Sequence, residues 1–345
     1  MHTSKPLYQQ LGLVSIFALI MPFYANADLL PPPNELTVTT YNDFDVYSLE
    51  LLEKCKSDPR CQPASDDLDK IGGGPGSIQD LVVILSASNG VPINDNSPPL
   101  NELGDNPFAS PTGDGDALVM DAGNEPSPDF TGDRIGSWDV QVGALTDWLF
   151  GNDLVFMLNN NQEGDGVSQW LQAWAQVKIY DASDNEQACF EFSNSLSGCG
   201  GEPELVLVTD PDYDFLTNAG DYVGAFTGYC VNKITGDAFN LGVAGNDGDC
   251  ANADPNLDGY FVSGNLGNFA DNAIVSQALN DYIYNTAGDD WIMSVDLRLA
   301  NNTNGGEYVW ITNQFAPRVP VPAPGTLLLL GAGLIALRTT RRRRL

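Results

Sequence analysis

SQWLQAWAQVKIYD, Ser168 to Asp181, decides the fold. Leu171, Ala173, Ala175, Val177 and Ile179 fall on one side of it, while Trp170, Gln172, Trp174, Gln176 and Tyr180 fall on the other. Successive side chains of an extended chain point to opposite faces, so period two over this length is a half-buried strand. Working outward, DLVFMLNNNQ (Asp153–Gln162) before it and ACFEF (Ala188–Phe192) after it read as its neighbours. WIMSVDLRLA (Trp291–Ala300) and EYVWITNQF (Glu307–Phe315) flank NNTNGG, whose Asn-Gly pair suits a hairpin loop with residues at positive φ. Further strands are expected at LTVTTY (Leu36–Tyr41), LVVILSAS (Leu81–Ser88), ELVLVTD (Glu204–Asp210) and YVGAFTGYCV (Tyr222–Val231).

Helical spacing is confined to a few segments. In ADNAIVSQALNDYIYN (Ala270–Asn285), Ile274, Val275, Ala278, Leu279, Tyr282 and Ile283 recur at that spacing, and Asp271 suits the N-cap. YSLELLEKC (Tyr47–Cys55) is a second, short helix candidate. Residues 92–116 hold five prolines among turn formers and read as a long irregular surface loop. No repeat with a period of 20 to 50 residues is visible. The expected architecture is mainly β: an antiparallel β-sandwich or jelly-roll-like domain with one or two peripheral helices. The length also permits two small sandwiches.

Both ends differ from this body. Met1 to Ala27 has a weakly basic start (His2, Lys5), an apolar run from Leu11 to Phe23, and small residues at Ala25 and Ala27. That is the layout of a secretory signal peptide cut between Ala27 and Asp28, which implies the Sec translocon and a signal peptidase as partners. The chain ends in VPVPAPGTLLLLGAGLIALRTTRRRRL, Val319 to Leu345. Pro322 and Pro324 stop a helix from reaching further back. A helix over Gly325–Leu337 is then about 20 Å long at about 1.5 Å per residue, against a hydrocarbon core of about 30 Å. Such a transmembrane helix holds only briefly. Arg338, Arg341, Arg342, Arg343 and Arg344 form a cytoplasmic stop by the positive-inside tendency. The expected organisation is therefore a signal peptide (1–27), an exported β-rich domain (28–318) and a sorting tail (319–345).

The tail resembles the PEP-CTERM sorting signal of Gram-negative bacteria that make exopolysaccharide: a proline motif, a short Leu/Gly-rich helix and a terminal arginine cluster. The motif here reads Pro322-Ala323-Pro324, with alanine where that family usually carries glutamate. The resemblance implies an exosortase, a membrane-embedded cysteine transpeptidase-like enzyme, which cuts near the prolines. The protein is then released from transient inner-membrane anchoring to the cell surface or extracellular matrix. NNNQ before the tryptophan strand, SPPL to NPF in the proline-rich loop, and SVDLRLAN before a glycine-rich loop also look like a recurrent type of exported PEP-CTERM protein. That type carries no assigned activity and contributes no catalytic residues.

All 46 acidic residues lie between the targeting segments with only nine basic ones, so residues 28–320 carry a formal charge of −37. Such a surface repels nucleic acid and anionic membranes, stays soluble by self-repulsion and attracts cations. The tryptophans, tyrosines and regular apolar alternation argue against disorder for most of the chain. Six cysteines in an exported chain point to three disulfides. The sequential pairs, Cys55 with Cys61, Cys189 with Cys199 and Cys230 with Cys250, close the shortest loops at the least entropic cost. No CxxC pair is present and the one histidine, His2, leaves with the signal peptide, which disfavours zinc.

Chemistry in the body rests on oxygen and aromatic groups. Loss of His2 removes the usual base for a serine or cysteine nucleophile. Two carboxylates about 5 to 10 Å apart would support glycoside hydrolysis, but among 46 acids no pair is privileged. DPNLDGY places Asp254, Asn256 and Asp258 at alternate positions with Gly259 sixth, like the first half of an EF-hand loop. Asn265 stands where the bidentate glutamate belongs, so either a solvated Asx-rich turn or a weak calcium loop accounts for the stretch. No cofactor besides this candidate calcium is indicated. Trp170 and Trp174, edged by Gln172 and Gln176, suit either a sugar-binding platform or a face packed beneath a second sheet. The expected function is a non-catalytic surface or matrix protein associated with exopolysaccharide or biofilm. The alternative is a glycan-binding module or carboxylate-dependent glycoside hydrolase of the envelope.

Overall fold

The computed structural model describes residues 30–62, 68, 71–72, 81–86, 119–120, 138–160, 170–194, 198–199, 203–204, 220–226, 229–240, 250, 258–264, 266–300, 307–313 and 315. In chain order the strands are β1 (Thr39–Tyr41), β2 (Phe44–Ser48), β3 (Leu81–Ser86), β4 (Val119–Met120), β5 (Trp138–Gln141), β6 (Val155–Asn159), β7 (Trp170–Tyr180) and β8 (Glu186–Phe192). They continue as β9 (Val223–Phe226), β10 (Tyr229–Asn232), β11 (Ala238–Asn240), β12 (Gly259–Val262), β13 (Asn272–Val275), β14 (Ile292–Ala300) and β15 (Tyr308–Thr312). Three α-helices, α1 (Leu49–Cys55), α2 (Val142–Leu149) and α3 (Gln277–Asn285), and a 3₁₀ turn at Pro59–Cys61 complete the described elements.

β7 is the 11-residue strand that its alternation requires. It pairs antiparallel with β14 from Ile292↔Tyr180 to Ala300↔Gln172. Its other edge is shared, by β9 along Trp170–Ala173 and by β8 along Ala175–Tyr180. The resulting sheet, in the order β5-β14-β7-β8 with β9 beside β7, packs against a larger one ordered β1-β2-β13-β6-β15-β3-β4. Leu171, Ala173, Ala175, Val177 and Ile179 of β7 meet Phe44, Phe156, Leu158, Ile274, Val309 and Ile311 of the larger sheet in one apolar core, which α2 and α3 close with Leu145, Leu149, Leu279 and Ile283. The fold is mainly β and antiparallel, with sheets face to face as in a sandwich.

A further layer sits beyond the sandwich. The opposite face of the larger sheet buries Tyr47, Val155, Met157, Ala273, Val275 and Trp310 against Leu49 and Leu52 of α1, Val231 of β10 and Val262 of β12. β10 is the middle strand of a small sheet ordered β11-β10-β12. The larger sheet is thus the middle layer, and its inner strands are apolar on both faces: every residue of β6 is buried. That arrangement explains why VFMLN shows no alternation.

Four sequence expectations are corrected. β6 is not a neighbour of β7; it lies in the larger sheet between β13 and β15, where a strand buried on both faces must go. β14 and β15 do not form a hairpin, because β14 pairs with β5 and β7 while β15 pairs with β6 and β3 in the other sheet. YVGAFTGYCV is two strands, β9 beside β7 and β10 in the small sheet. The expected helix over 270–285 begins only after Ser276, since Asn272–Val275 is β13, paired with both β2 and β6. Helix propensities differ by well under about 1 kcal/mol per residue. Burying Ile274 and Val275 in a two-sided sheet is worth about 1.5–3 kcal/mol each, so the strand wins.

The helix at Tyr47–Cys55 forms as α1, capped by Ser48. α2 was not expected; its buried Val142, Leu145 and Leu149 do recur at helical spacing, but no side chain caps its start. The strand expected at 204–210 lies outside the described residues except for Glu204, and so does the loop expected at 92–116.

Candidate functional site

Three disulfides close short loops: Cys55–Cys61, Cys189–Cys199 and Cys230–Cys250, with Cα separations of 5.9, 6.0 and 5.8 Å. They are the sequential pairs, and no free cysteine occurs among the described residues. Cys55 and Cys61 lie within the second core, joining the end of α1 to the 3₁₀ turn. Arg60 of that turn donates from Nη1 to Ile234 O at 3.3 Å and from Nη2 to Lys233 O, and so clamps the β10–β11 turn.

Of the expected calcium ligands, Asp254 and Asn256 lie outside the described residues. Asp258 is exposed, and its Oδ1 pairs with Lys233 Nζ at 2.5 Å. No group of three or more His, Cys, Asp or Glu suited to a metal occurs among the described residues. Trp174 is closed to a sugar: it is 1 % exposed, packed with Tyr222, and the Arg298 guanidinium lies 5.0 Å from its ring. Gln172 and Gln176 beside it are buried too. Of the two readings of this face, sugar platform or packed cover, Trp174 takes the packed one. Trp170 begins β7, and its side chain lies outside what is described. Ala27, Asp28, Pro322, Ala323, Pro324, Arg338, Arg341, Arg342, Arg343 and Arg344 also lie outside the described residues. Among those that are described, no helix is long and apolar enough to cross a membrane.

The chemistry that the sequence did not announce is a polar row across three neighbouring strand ends. β13, β6 and β15 lie side by side, and at one end they carry Asp271, Asn159–Asn160 and Glu307. Asp271, only 3 % exposed, donates its backbone N–H to Leu158 O at 2.9 Å. Its Oδ2 accepts from the backbone N–H of Asn160 at 2.6 Å and its Oδ1 from that of Leu266 at 2.7 Å. Burial nevertheless outweighs these two donors and pushes its carboxyl up to about 8, helped by the nearby charge of Glu50. Glu50 is itself fully engaged. Its Oε2 accepts from the backbone N–H and hydroxyl of Ser263 and the N–H of Gly264, and its Oε1 pairs with Lys54 at 2.5 Å.

Glu307 differs from both. Its side chain is 0 % exposed, and neither Oε1 nor Oε2 has a hydrogen-bond partner among the described residues. Burial pushes this carboxyl up to about 8, opposed only by its own backbone N–H. Asn160, also 0 % exposed, leaves both Oδ1 and Nδ2 without partners among the described residues. Asn159 donates from Nδ2 to Gly267 O at 2.9 Å, but its Oδ1 is likewise unpartnered. An acid immediately before a strand and a run of asparagines after one ordinarily read as solvated turns. Nothing in the local sequence says that this end of the sheet is covered.

Comparison with known proteins finds two matching family models. No curated protein and no solved structure matches the chain. Residues 320–344 match the PEP-CTERM protein-sorting motif, which makes this an exported protein of a Gram-negative bacterium and implies an exosortase-type enzyme as its sorting partner. Residues 29–298, most of the chain and nearly all of the β-rich body, match one family throughout, and the protein belongs to that family, Domain of unknown function (DUF8239).

Proposed function

We propose that this is a non-catalytic protein of the cell surface or extracellular matrix, trimmed at both ends during export and retained among exopolysaccharide. The sorting motif at 320–344, placed after an acidic, disulfide-tied β body, is the observation that carries the reading. A formal charge of −37 over residues 28–320 suits an extended, cation-rich matrix, where calcium joins acidic loops such as Asp254–Asp258 to acidic polymer. Disulfides replace intracellular protection in supporting the fold outside the cytoplasm.

Mass spectrometry of the cell-associated and secreted forms tests this directly. The expected product begins at Asp28 and ends near Pro322–Pro324. Replacing Arg338 and Arg341 to Arg344 with glutamine removes the charge that resists translocation of a short apolar segment, so uncut precursor slips into the periplasm. Replacing Pro322 and Pro324 with alanine leaves uncut precursor in the inner membrane. If both variants reached the surface with the wild-type C-terminus, the tail would be only a weak anchor and the reading would fail.

A further inference from the structure

We propose that Glu307 and Asn160 hold a buried calcium ion at the end of the sandwich, a site separate from the Asp254–Asp258 loop. The placement follows from the β6–β15 ladder. It runs without a shift from Thr312↔Val155 to Tyr308↔Asn159, so the next residues outward, Glu307 and Asn160, stand opposite one another. Neighbouring strands are about 4.8 Å apart, within reach of one shared ion. Period two puts Glu307 on the face of Val309 and Ile311, and Asn160 on the face of Phe156 and Leu158, which is the face turned to the other large sheet. Both strands leave the larger sheet at this end: β6 leads to β7 and β14 leads to β15, and β7 and β14 are themselves paired from Gln172↔Ala300. The pair thus sits at the corner where the chain crosses twice between sheets.

The occupant follows from the donors. A fully buried carboxylate with no partner is among the most costly arrangements in a protein, and such groups are met by protonation, an opposite charge or a metal. Among the described residues no Lys or Arg bonds to Glu307. The amide opposite it offers an oxygen that bonds to nothing among the described residues. Two carboxylate oxygens and an amide oxygen, without sulfur or imidazole, form a hard donor set that favours Ca²⁺ over transition metals. Remaining coordination positions are of the kind that water and backbone carbonyls fill. Asp271 acts as a positioning residue here: its Oδ2 fixes the backbone N–H of Asn160 and leaves the side-chain amide for the ion. The ion would tie the end of β6 to the start of β15, a role independent of any polymer outside.

The test uses the exported protein, purified with its disulfides intact, and reads terbium luminescence and melting temperature at pH 7.5. Terbium occupies calcium sites, and Tyr308, next to Glu307, serves as its sensitiser. Wild type is expected to show calcium-displaceable emission and a melting temperature about 5 °C higher in calcium at 100-fold its Kd than in chelator. Glu307→Gln should lose that shift and the emission that this site contributes, yet melt above wild type in chelator, because no carboxyl then has to be protonated or buried as the chain folds. Asp258→Asn should keep both calcium responses. Asn160→Ala should weaken calcium binding at least tenfold and decides the matter if Glu307→Gln does not fold. The proposal is overturned if wild type shows neither response, or if the Glu307→Gln or Asn160→Ala variant binds calcium as wild type does. Those results would leave Glu307 as a protonated acid.

Discussion

The backbone N–H of Asn160 donates to Asp271 Oδ2 at 2.6 Å across 111 residues of sequence, so an acid preceding β13 closes the end of β6. The carboxylate accepts a second backbone N–H, that of Leu266, five residues before it. One side chain therefore satisfies two backbone donors, one of them in a buried bond, that no strand reaches, and stability at this end depends on its protonation.

Stability in chelator should fall as pH rises from about 4 to 8. Asp271 and Glu307 are both raised to about 8 by burial, from 3.8 and 4.5. The folded state then binds more protons than the unfolded one in that interval. Its advantage is complete below about pH 4 and lost as pH climbs through about 8. The interval from pH 6 to 8 is diagnostic, because surface carboxylates are already ionised there and the one histidine is His2. Thermal melts should show the slope in wild type and a flatter one in an Asp271→Asn, Glu307→Gln double variant.

Ser276→Ala should cost about 1 kcal/mol in urea unfolding. Ser276 Oγ accepts from the N–H of Leu279 at 3.1 Å and is the cap of α3. Asp271, five residues earlier, takes no part in that helix, so Asp271→Ala should leave α3 intact while stranding the N–H groups of Asn160 and Leu266, at about 1–3 kcal/mol for each left buried.

Trp174→Ala should destabilise the protein by about 3–5 kcal/mol, as truncation of a buried tryptophan does. Polysaccharide retention by the folded variant should equal that of wild type, since the ring lies beneath Tyr222 and beside Arg298. A pull-down with unchanged melting behaviour but lost retention would reinstate the sugar platform.

Gly236→Ala should cost more than about 1 kcal/mol. Gly236 has φ +79°, and a Cβ there would lie 1.9 Å from Glu35 O. The turn from Asn232 to Asp237 is held against the N-terminal segment through Arg60, so it has little room to retreat. A denaturation midpoint equal to wild type would contradict this close approach.

The β class, the long strand β7, α1 and the C-terminal sorting tail were legible because each is a local pattern: alternation, helical spacing, an apolar run beside charge. The sequential disulfides were legible for a related reason, loop length being a property of the chain itself. β13 was harder, and so was the pairing of β6 and β15, though both were legible as strands. A strand covered on both faces loses its alternation, and Asn272–Val275 carries apolar residues that fit a helix until β2 and β6 are known to flank it.

Sheet membership and burial of polar groups needed the folded molecule. NNTNGG has the composition of a hairpin loop whether the strands beside it pair with each other or part to different sheets, because turn chemistry is local and strand pairing is not. Likewise an acid such as Glu307 reads as solvated wherever it stands in the chain. Only the stacking of one sheet on another removes its water, and with the water goes the cheap solution to its charge.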